Sequence, residues 1–357
     1  MKRGGLTRGL ALTLFAITLF GSPTLAQDAL IESVCLVTDV GRVDDGTFNQ
    51  GGYEGMLAAA GDFGLETSFI ETTRQVDYED NLQTCIDAGY DAIITMGFLI
   101  ADATLAAAQA NPGVYFIGVD HFYSEAPANL VGLQFREDQA GFLAGALAGL
   151  VTESDVVAGV YGIDIPPVLR FRCGFENGVA HSNAAARAAG VHVPSFIDPA
   201  TGAETALQFI AEGADVILGA GGTTGSGAIL AAAAAGVRVI GVDQDEYLTT
   251  FGGGESPGAE YLLGSALKRV DRGVYLSLQA LVEGDAASFH GEGGLRVLDA
   301  ASGGIGLAPQ HDSEMPEGVP ERLDGIHAAL QDGSQGTGCD PVTGERLEPQ
   351  PGEESGG

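Results

Sequence analysis

Val34-Cys-Leu-Val-Thr38-Asp39-Val-Gly-Arg-Val-Asp44-Asp45-Gly-Thr-Phe48-Asn49-Gln50 carries the signature on which the fold reading rests. A short apolar run predicts a strand over Val34–Thr38. A loop of carboxylates and glycine follows at its carboxyl end, and a helix is expected over Phe48–Ala60. Gly51, Gly52 and Gly55 inside that helix argue for close packing rather than high propensity. The pattern then continues outward. Strands are expected at Glu66–Ile70, Ala92–Met96, Val114–Val119 and Asn129–Phe135. Helices are expected at Tyr78–Ala88, Ile100–Ala110 and Gln139–Val151. A second series then begins. Its expected strands are Val156–Tyr161, His192–Phe196, Val216–Gly219 and Val237–Val242. Its expected helices are Phe171–Ala189, Thr205–Glu212 and Gly225–Ala235. One more helix is expected over 258–282, with short strands at Leu295–Leu298 and Gly306–Ala308. Two successive βα series predict an α/β fold of two doubly wound lobes, each built on a largely parallel sheet.

Ligands of open α/β sheets sit beyond the carboxyl ends of the strands. The first strand ends in Asp39 and leads to Asp44, Asp45, Phe48 and Asn49. The fourth ends in Gly118-Val-Asp120-His121. In the second series one strand ends in Phe196-Ile-Asp198, another in Gly219-Ala-Gly221-Gly222-Thr-Thr-Gly225-Ser-Gly227, and the last in Gly241-Val-Asp243-Gln-Asp245. Carboxylates and aromatics of both series therefore gather at strand ends, and facing lobes would line one cleft with them. Asp120 and Asp243, each in a Gly-Val-Asp context, suit hydrogen bonding to vicinal hydroxyls. Each could instead cap a following helix, as could Asp45 or Thr47 before Phe48.

Several catalytic or cofactor readings fail. After Gly222 the fifth residue is Gly227, but Ala228 stands where a phosphate loop needs lysine. Thr224 occupies the third glycine of a dinucleotide fingerprint. Asp39, Asp44 and Asp45 do not follow calcium-loop spacing, because Gly41 and Val43 would fall at ligand positions. No cysteine–histidine cluster has zinc spacing, and G-x-S-x-G is absent. Neither a metal nor a cofactor is expected, and nothing in the chain demands an enzyme.

The chain has 357 residues, with 16 basic against 48 acidic side chains and a formal charge of −32. Such a surface repels phosphate backbones and anionic lipid, so nucleic acid and peripheral membrane binding are excluded as expectations. A hydrophobic content of 45% is enough for a packed core and too high for a disordered acidic chain. Residues 1–26 have the layout of a secretory signal. Lys2, Arg3 and Arg8 form its basic start, Gly9–Phe20 its apolar stretch, and Thr24-Leu25-Ala26 a cleavage site before Gln27. Cys35, Cys85, Cys173 and Cys339 allow three disulfide pairings, among which sequence does not choose. From Gln331 onward Gly, Pro, Asp and Glu dominate, and a disordered tail is expected. Only two lysines occur, Lys2 and Lys268.

The opening stretch Val37–Gln50 resembles the first motif of the BMP family (basic membrane protein, Med/PnrA-like), the substrate-binding proteins of nucleoside ABC importers. Further matches follow in order: Arg170-Phe171-Arg-Cys-Gly174-Phe175-Glu-Asn-Gly178, Gly213–Val216, Gly221–Gly227, Ile240–Asp245, Ser265–Asp271 and Gly303–Leu307. The resemblance covers roughly 33–310. It implies a type I periplasmic-binding fold, two lobes joined by three crossovers. It implies an exported binding protein rather than an enzyme, with a nucleoside ligand, a purine in many members. ABC permease subunits are the implied partner. Carried onto this sequence, Phe48 stacks on the base, which Asn49 and Asp39 contact. Asp120 and Asp243 take ribose hydroxyls beside Lys268. Phe196 is the choice for the second aromatic, with Phe175 as competitor; Gly221 and Gly222 let the ligand approach, and Asp45 stands at the margin. A sugar or flavin ligand on the same fold, or a secreted carboxylate-dependent hydrolase, are the rival readings. The family's lipid-anchoring cysteine is missing, so a secreted periplasmic or extracellular monomer is expected. The lobes are expected at 31–135 with 245–283, and at 136–244 with 284–330, ahead of the tail at 331–357.

Overall fold

The computed structural model of the protein describes Met1 and residues 29–347. The expected signal segment and its cleavage at Ala26 lie outside the described residues, as does the tail beyond 347. The first lobe runs β1 (Ser33–Val40), α1 (Phe48–Phe63), β2 (Glu66–Thr72), α2 (Tyr78–Asp87), β3 (Ala92–Met96), α3 (Ala101–Ala110), β4 (Tyr115–Val119) and β5 (Leu130–Phe135). The second runs α4 (Glu137–Val151), β6 (Val156–Tyr161), α5 (Pro166–Ser182), β7 (Arg187–His192), α6 (Pro199–Ala211), β8 (Val216–Ala220), α7 (Gly222–Ala234), β9 (Arg238–Asp243) and β10 (Leu262–Lys268). The chain then returns to the first lobe for α8 (Val270–Val282), α9 (Ala286–His290) and β11 (Leu295–Leu298). It ends in the second lobe with β12 (Ile305–Leu307) and α10 (Val319–Gln331).

Each lobe holds a six-stranded sheet, ordered β11-β5-β4-β3-β1-β2 in the first and β12-β10-β9-β8-β6-β7 in the second. All pairings are parallel except β10 with β12. Central strands such as Ala92–Met96 and Val216–Ala220 are buried throughout, as expected for parallel strands covered by helices on both faces. Helix α4 is almost wholly buried and packs on α5 through glycines. A Cβ on Gly145 would stand 2.1 Å from the Phe175 carbonyl oxygen, and one on Gly178 2.1 Å from that of Phe142. The glycines of α1 serve the same end, because a Cβ on Gly55 would meet Asp271 of α8 at 2.4 Å.

Three crossovers join the lobes, between Phe135 and Glu137, between Lys268 and Val270, and between Leu298 and Ile305. Two expected lobe boundaries are thereby corrected. Residues 245–268 lie with the second lobe rather than the first, Phe251 and Ala259 packing in its core, and 262–268 are a strand there, not part of a helix over 258–282. Residues 284–298 belong with the first lobe through β11. The run Leu262–Leu267 is apolar and short, and periodicity alone does not separate a buried strand from a buried helix. Helix α5 starts earlier than expected, with Pro166 and Pro167 in its first turn, where a missing N–H costs nothing. Strand β7 is shifted upstream accordingly.

The expectation of disorder from Gln331 onward fails for residues 331–347. A disulfide joins Cys173 to Cys339, the other pair being Cys35–Cys85. Asn177 and Gln134 donate to the Thr337 and Pro341 carbonyls at 2.8 and 2.6 Å. Composition signals a lack of core, but a covalent tether supplies order that composition does not register.

Candidate functional site

The carboxyl ends of the two sheets face each other across a cleft of about 510 Å³. From the first lobe, Asp39, Phe48, Asn49 and Asp120 line it; from the second, Phe196, Gly221, Gly222, Asp243 and Lys268 do. The sequence-expected residues are thus brought together, with one exception. Phe175 is fully buried between α5 and α4 and does not line the cleft. Phe171, one turn earlier on the same helix, does. The correction follows from helix geometry: residues four apart share a face at different heights, and only the upper one reaches the opening.

Asp45 fixes the entry to α1. Its carboxylate accepts from the backbone N–H groups of Thr47, Asn49 and Gln50 at 2.9–3.1 Å and from Asn49 Nδ2 at 3.0 Å. It does the capping from three residues before the helix, while Thr47 makes no cap bond. The Phe48 ring is thereby placed on the cleft wall. Asn49 Oδ1 in turn accepts from the Asp39 N–H at 3.1 Å. Tyr78, expected only as the start of a helix and not as a site residue, donates its hydroxyl to Asp39 Oδ1. Burial pushes the Asp39 carboxyl up to about 6 despite that bond.

Asp120 follows β4 and Asp243 ends β9, and both adopt the left-handed backbone conformation, with φ of 64° and 66°. Both are buried. Lys268 Nζ donates to Asp120 Oδ2 at 2.7 Å, while Asp120 Oδ1 has no partner among the described residues. Burial raises the Asp120 carboxyl to about 6, against the pull of Lys268. It raises Asp243 to about 7. Lys268 is the last residue of β10, not a member of the helix holding Arg272. Burial draws its ammonium down, but Asp120, Glu137 and Asp243 outweigh this and push it up to about 12. The ammonium also lies 4.8 Å from the centre of the Phe48 ring and 5.2 Å from that of Phe135, a cation–π arrangement in a desolvated place.

Phe196 follows β7, and its carbonyl accepts from Thr224 N and Thr223 Oγ1, both at 3.2 Å. A Cβ on Gly222 would stand 2.7 Å from that carbonyl oxygen, and one on Gly221 2.3 Å from the Gly162 nitrogen. Both glycines have positive φ. They let the start of α7 pass under the Phe196 loop, a structural need in addition to the expected ligand approach. Phe98, Ile165, Val168 and Ile197 complete the apolar walls; none carries a local motif. The lobes touch beside the cleft, where Thr249 Oγ1 donates to the Gly46 carbonyl at 2.7 Å and Gln244 Nε2 to that of Thr47 at 3.2 Å.

Aromatic walls, a carboxylate pair and one ammonium equip this cleft to hold a flat apolar group and a neighbouring cluster of hydroxyls. Among the described residues no His, Cys or Ser lines it. Among the described residues no group of acidic, His and Cys side chains could hold a metal ion, and no helix is long and apolar enough to cross a membrane.

A family model described as ABC transporter substrate-binding protein PnrA-like matches residues 32–326. The CD4+ T-cell-stimulating antigen of Listeria monocytogenes is 31% identical over 227 residues, covering 60% of this chain and 63% of the relative. Basic membrane protein A of Borreliella burgdorferi is 32% identical over 220 residues, covering 60% and 64%. The chain thus spans slightly under two thirds of the length of these two. The ABC transporter nucleoside-binding protein BmpA of Lactococcus lactis is 28% identical over 248 residues, covering 66% and 70%. Among solved structures, an ABC transporter solute-binding protein of Aeropyrum pernix shares 26% identity with a TM-score of 0.72, covering 85% of this chain and 92% of that one. A solute-binding protein of Conexibacter woesei, at 21% identity and a TM-score of 0.66 over 85% and 97% of the two chains, is similar in fold.

Proposed function

The chain belongs to the PnrA-like family of ABC transporter substrate-binding proteins, with the type I periplasmic-binding fold, and from that premise we propose that it is an exported nucleoside receptor. It holds a nucleoside between its lobes and hands it to the transmembrane subunits of an ABC permease, without chemical turnover. Phe48 and Phe196, from opposite lobes, take the two faces of the base. Asn49 and Asp39 read its edge. Asp120 and Asp243 accept hydrogen bonds from the ribose hydroxyls beside Lys268. The receptor works outside the cytoplasmic membrane as a monomer, its leader removed near Ala26.

The observation that carries this reading is the placement of two buried carboxylates and one ammonium next to aromatic walls in a single interlobe cleft. A sugar alone would leave the aromatic and aliphatic walls unfilled; a free base would leave Asp120 Oδ1 and the Asp243 carboxyl without hydrogen-bond partners. Unpaired buried carboxylates are costly, so a ligand with both parts satisfies most of the site. A cleft of this volume lies within the usual range for small-molecule sites.

Isothermal calorimetry with a panel of purine and pyrimidine nucleosides, free bases, ribose, hexoses and riboflavin tests it. Stoichiometric nucleoside binding, with no product after prolonged incubation, is expected. Binding of a hexose or riboflavin with no response to any nucleoside would overturn the proposal, and so would turnover of a bound nucleoside.

A further inference from the structure

Behind Lys268 the charges continue away from the cleft. Glu137, the first residue of α4, is wholly buried and forms an ion pair with Lys268, Oε1 to Nζ, at 2.8 Å. Its other oxygen accepts from Arg170 Nε at 2.5 Å. Burial favours its neutral form, but Arg170 and Lys268 together hold its pKa below the usual carboxylate range. Arg170 is itself 3% exposed, and its Nη1 donates to the Val342 carbonyl at 2.6 Å.

Val342 belongs to the ordered segment after α10. Cys339 bonds to Cys173, three residues after Arg170 on α5. Thr337 donates its hydroxyl to Asp138 Oδ2 at 2.5 Å. A Cβ on Gly344 would stand 2.5 Å from the Arg170 nitrogen, so the segment lies directly on the helix. Gln134, at the end of β5, donates to Pro341, which brings the segment against the first crossover as well. Nothing else among the described residues accepts from Arg170 apart from Glu137.

We propose that residues 337–347, fastened by the Cys173–Cys339 bridge, set the position of the cleft lysine through Arg170 and Glu137. The contacts run unbroken from Val342 to Arg170, Glu137, Lys268 and Asp120. Arg170, Glu137, Lys268 and Asp120 are buried, and the side chain of each has at most two polar partners among the described residues, so loss of one reorients the next. Without the segment, water reaches Arg170 and its guanidinium turns outward. Glu137 then keeps Lys268 as its one ion-pair partner among the described residues and draws the ammonium away from Asp120. Arg170 and Glu137 are positioning residues: neither lines the cleft. The ligand part of this inference rests on the nucleoside reading above; the placement of the lysine does not.

The test uses the full chain labelled with 15N-lysine, in which Lys2 and Lys268 are the only lysines. The ammonium signal of Lys268 reports its burial without any ligand. In the C173S/C339S variant, hydrogen exchange at Lys268 Nζ is expected to rise at least tenfold and nucleoside affinity to fall at least fivefold. Removing the other bridge, as C35S/C85S, is expected to leave both within twofold. Unchanged exchange in folded C173S/C339S overturns the proposal. If that variant does not fold, R170Q decides, because glutamine adds no lysine signal and lacks the fork spanning Glu137 and Val342. Faster Lys268 exchange in R170Q supports the proposal and unchanged exchange overturns it. If the wild-type chain binds no nucleoside, the functional reading fails while the exchange measurement still decides this one.

Discussion

Replacing Asp243 by Asn should stabilise the ligand-free protein, and more at alkaline than at acidic pH. Asp243 is buried, makes no side-chain hydrogen bond among the described residues, and has its pKa raised from 3.8 to about 7, chiefly by burial. A carboxyl with a raised folded-state pKa binds protons more tightly in the native state than in the unfolded chain. Its contribution therefore favours folding less and less as pH rises from about 4 to about 7. At pH 8 both states are ionised, and the gap between 3.8 and about 7 corresponds to a cost on the order of 4 kcal/mol. At pH 5 the native carboxyl is protonated and the cost is about 1.5 kcal/mol. Asparagine matches aspartate in shape, tolerates a φ of 66° and does not titrate. Asp243→Asn should thus gain about 2–3 kcal/mol more, relative to wild type, at pH 8 than at pH 5. Urea unfolding of both proteins at pH 5, 6.5 and 8 measures this, and the general charge repulsion of so acidic a chain cancels in the comparison. A gain that is the same at all three pH values, or a loss at pH 8, would refute the assignment of a buried, unpaired carboxylate. The same substitution should weaken nucleoside binding about 10- to 150-fold, since hydrogen bonds to charged groups contribute roughly 1.5–3 kcal/mol.

Phe48→Ala should weaken nucleoside binding about 5- to 150-fold, the range for loss of one base-stacking surface; calorimetry showing wild-type affinity would return Phe48 to a purely structural role. Phe196→Ala should act likewise, whereas Phe175→Ala, in the α4–α5 interface, should cost about 3–5 kcal/mol of stability with the affinity of the surviving folded fraction intact. Lys268→Arg should reduce affinity at least about tenfold, because the planar guanidinium does not fit between Phe48, Phe135, Asp120 and Glu137 where three rotatable donors do. Wild-type affinity in Lys268→Arg, by the same calorimetry, would show that only the charge matters there.

The strands and the cleft-facing carboxylates were legible because both are local. A buried parallel strand is a short apolar run, and the residue after it stands at the sheet's carboxyl edge. That rule places Asp39, Asp120 and Asp243 correctly from sequence. It fails where locality fails. Leu262–Lys268 reads as well as helix as it does as strand, and only its pairing with β9 and β12 decides. Phe171 and Phe175 differ by one turn, and the packing of α4 determines which of them is free to face the opening. Glu137 and Arg170 are 33 residues apart and Glu137 and Lys268 more than a hundred; no spacing foretells such pairs. Tyr78, which bonds Asp39, sits in an ordinary amphipathic helix. The ordered segment around Cys339 was obscured by a composition that is that of a disordered tail.

The two Gly-Val-Asp sites show why the motif recurs. In each lobe the glycine makes room for a polar side chain that folds back under the strand end. A Cβ on Gly118 would stand 2.0 Å from His121 Nδ1, and one on Gly241 2.7 Å from Glu246 Oε1. His121 is buried, bonds the Gly97 carbonyl through Nε2 at 2.8 Å, and is kept neutral by burial, its pKa lowered to about 4. Glu246 accepts from the Val242 N–H, Ser226 and Thr250 at 2.6–3.0 Å. Both therefore brace the loop from below. The valine fills the core, and the aspartate turns into the left-handed region. Neither aspartate caps a helix, so the capping alternative falls. A non-glycine residue held there costs of order 1–3 kcal/mol, and the burial of each carboxyl adds to it. The free receptor thus carries strain and desolvation at two matched points, one per lobe, both opening on the same cleft. Groups that donate hydrogen bonds to both carboxylates at once offset the desolvation only when the lobes are together. A nucleoside bound as proposed would couple occupancy of the cleft to closure through differential affinity for the closed arrangement, which is the condition any ligand-driven closure must meet.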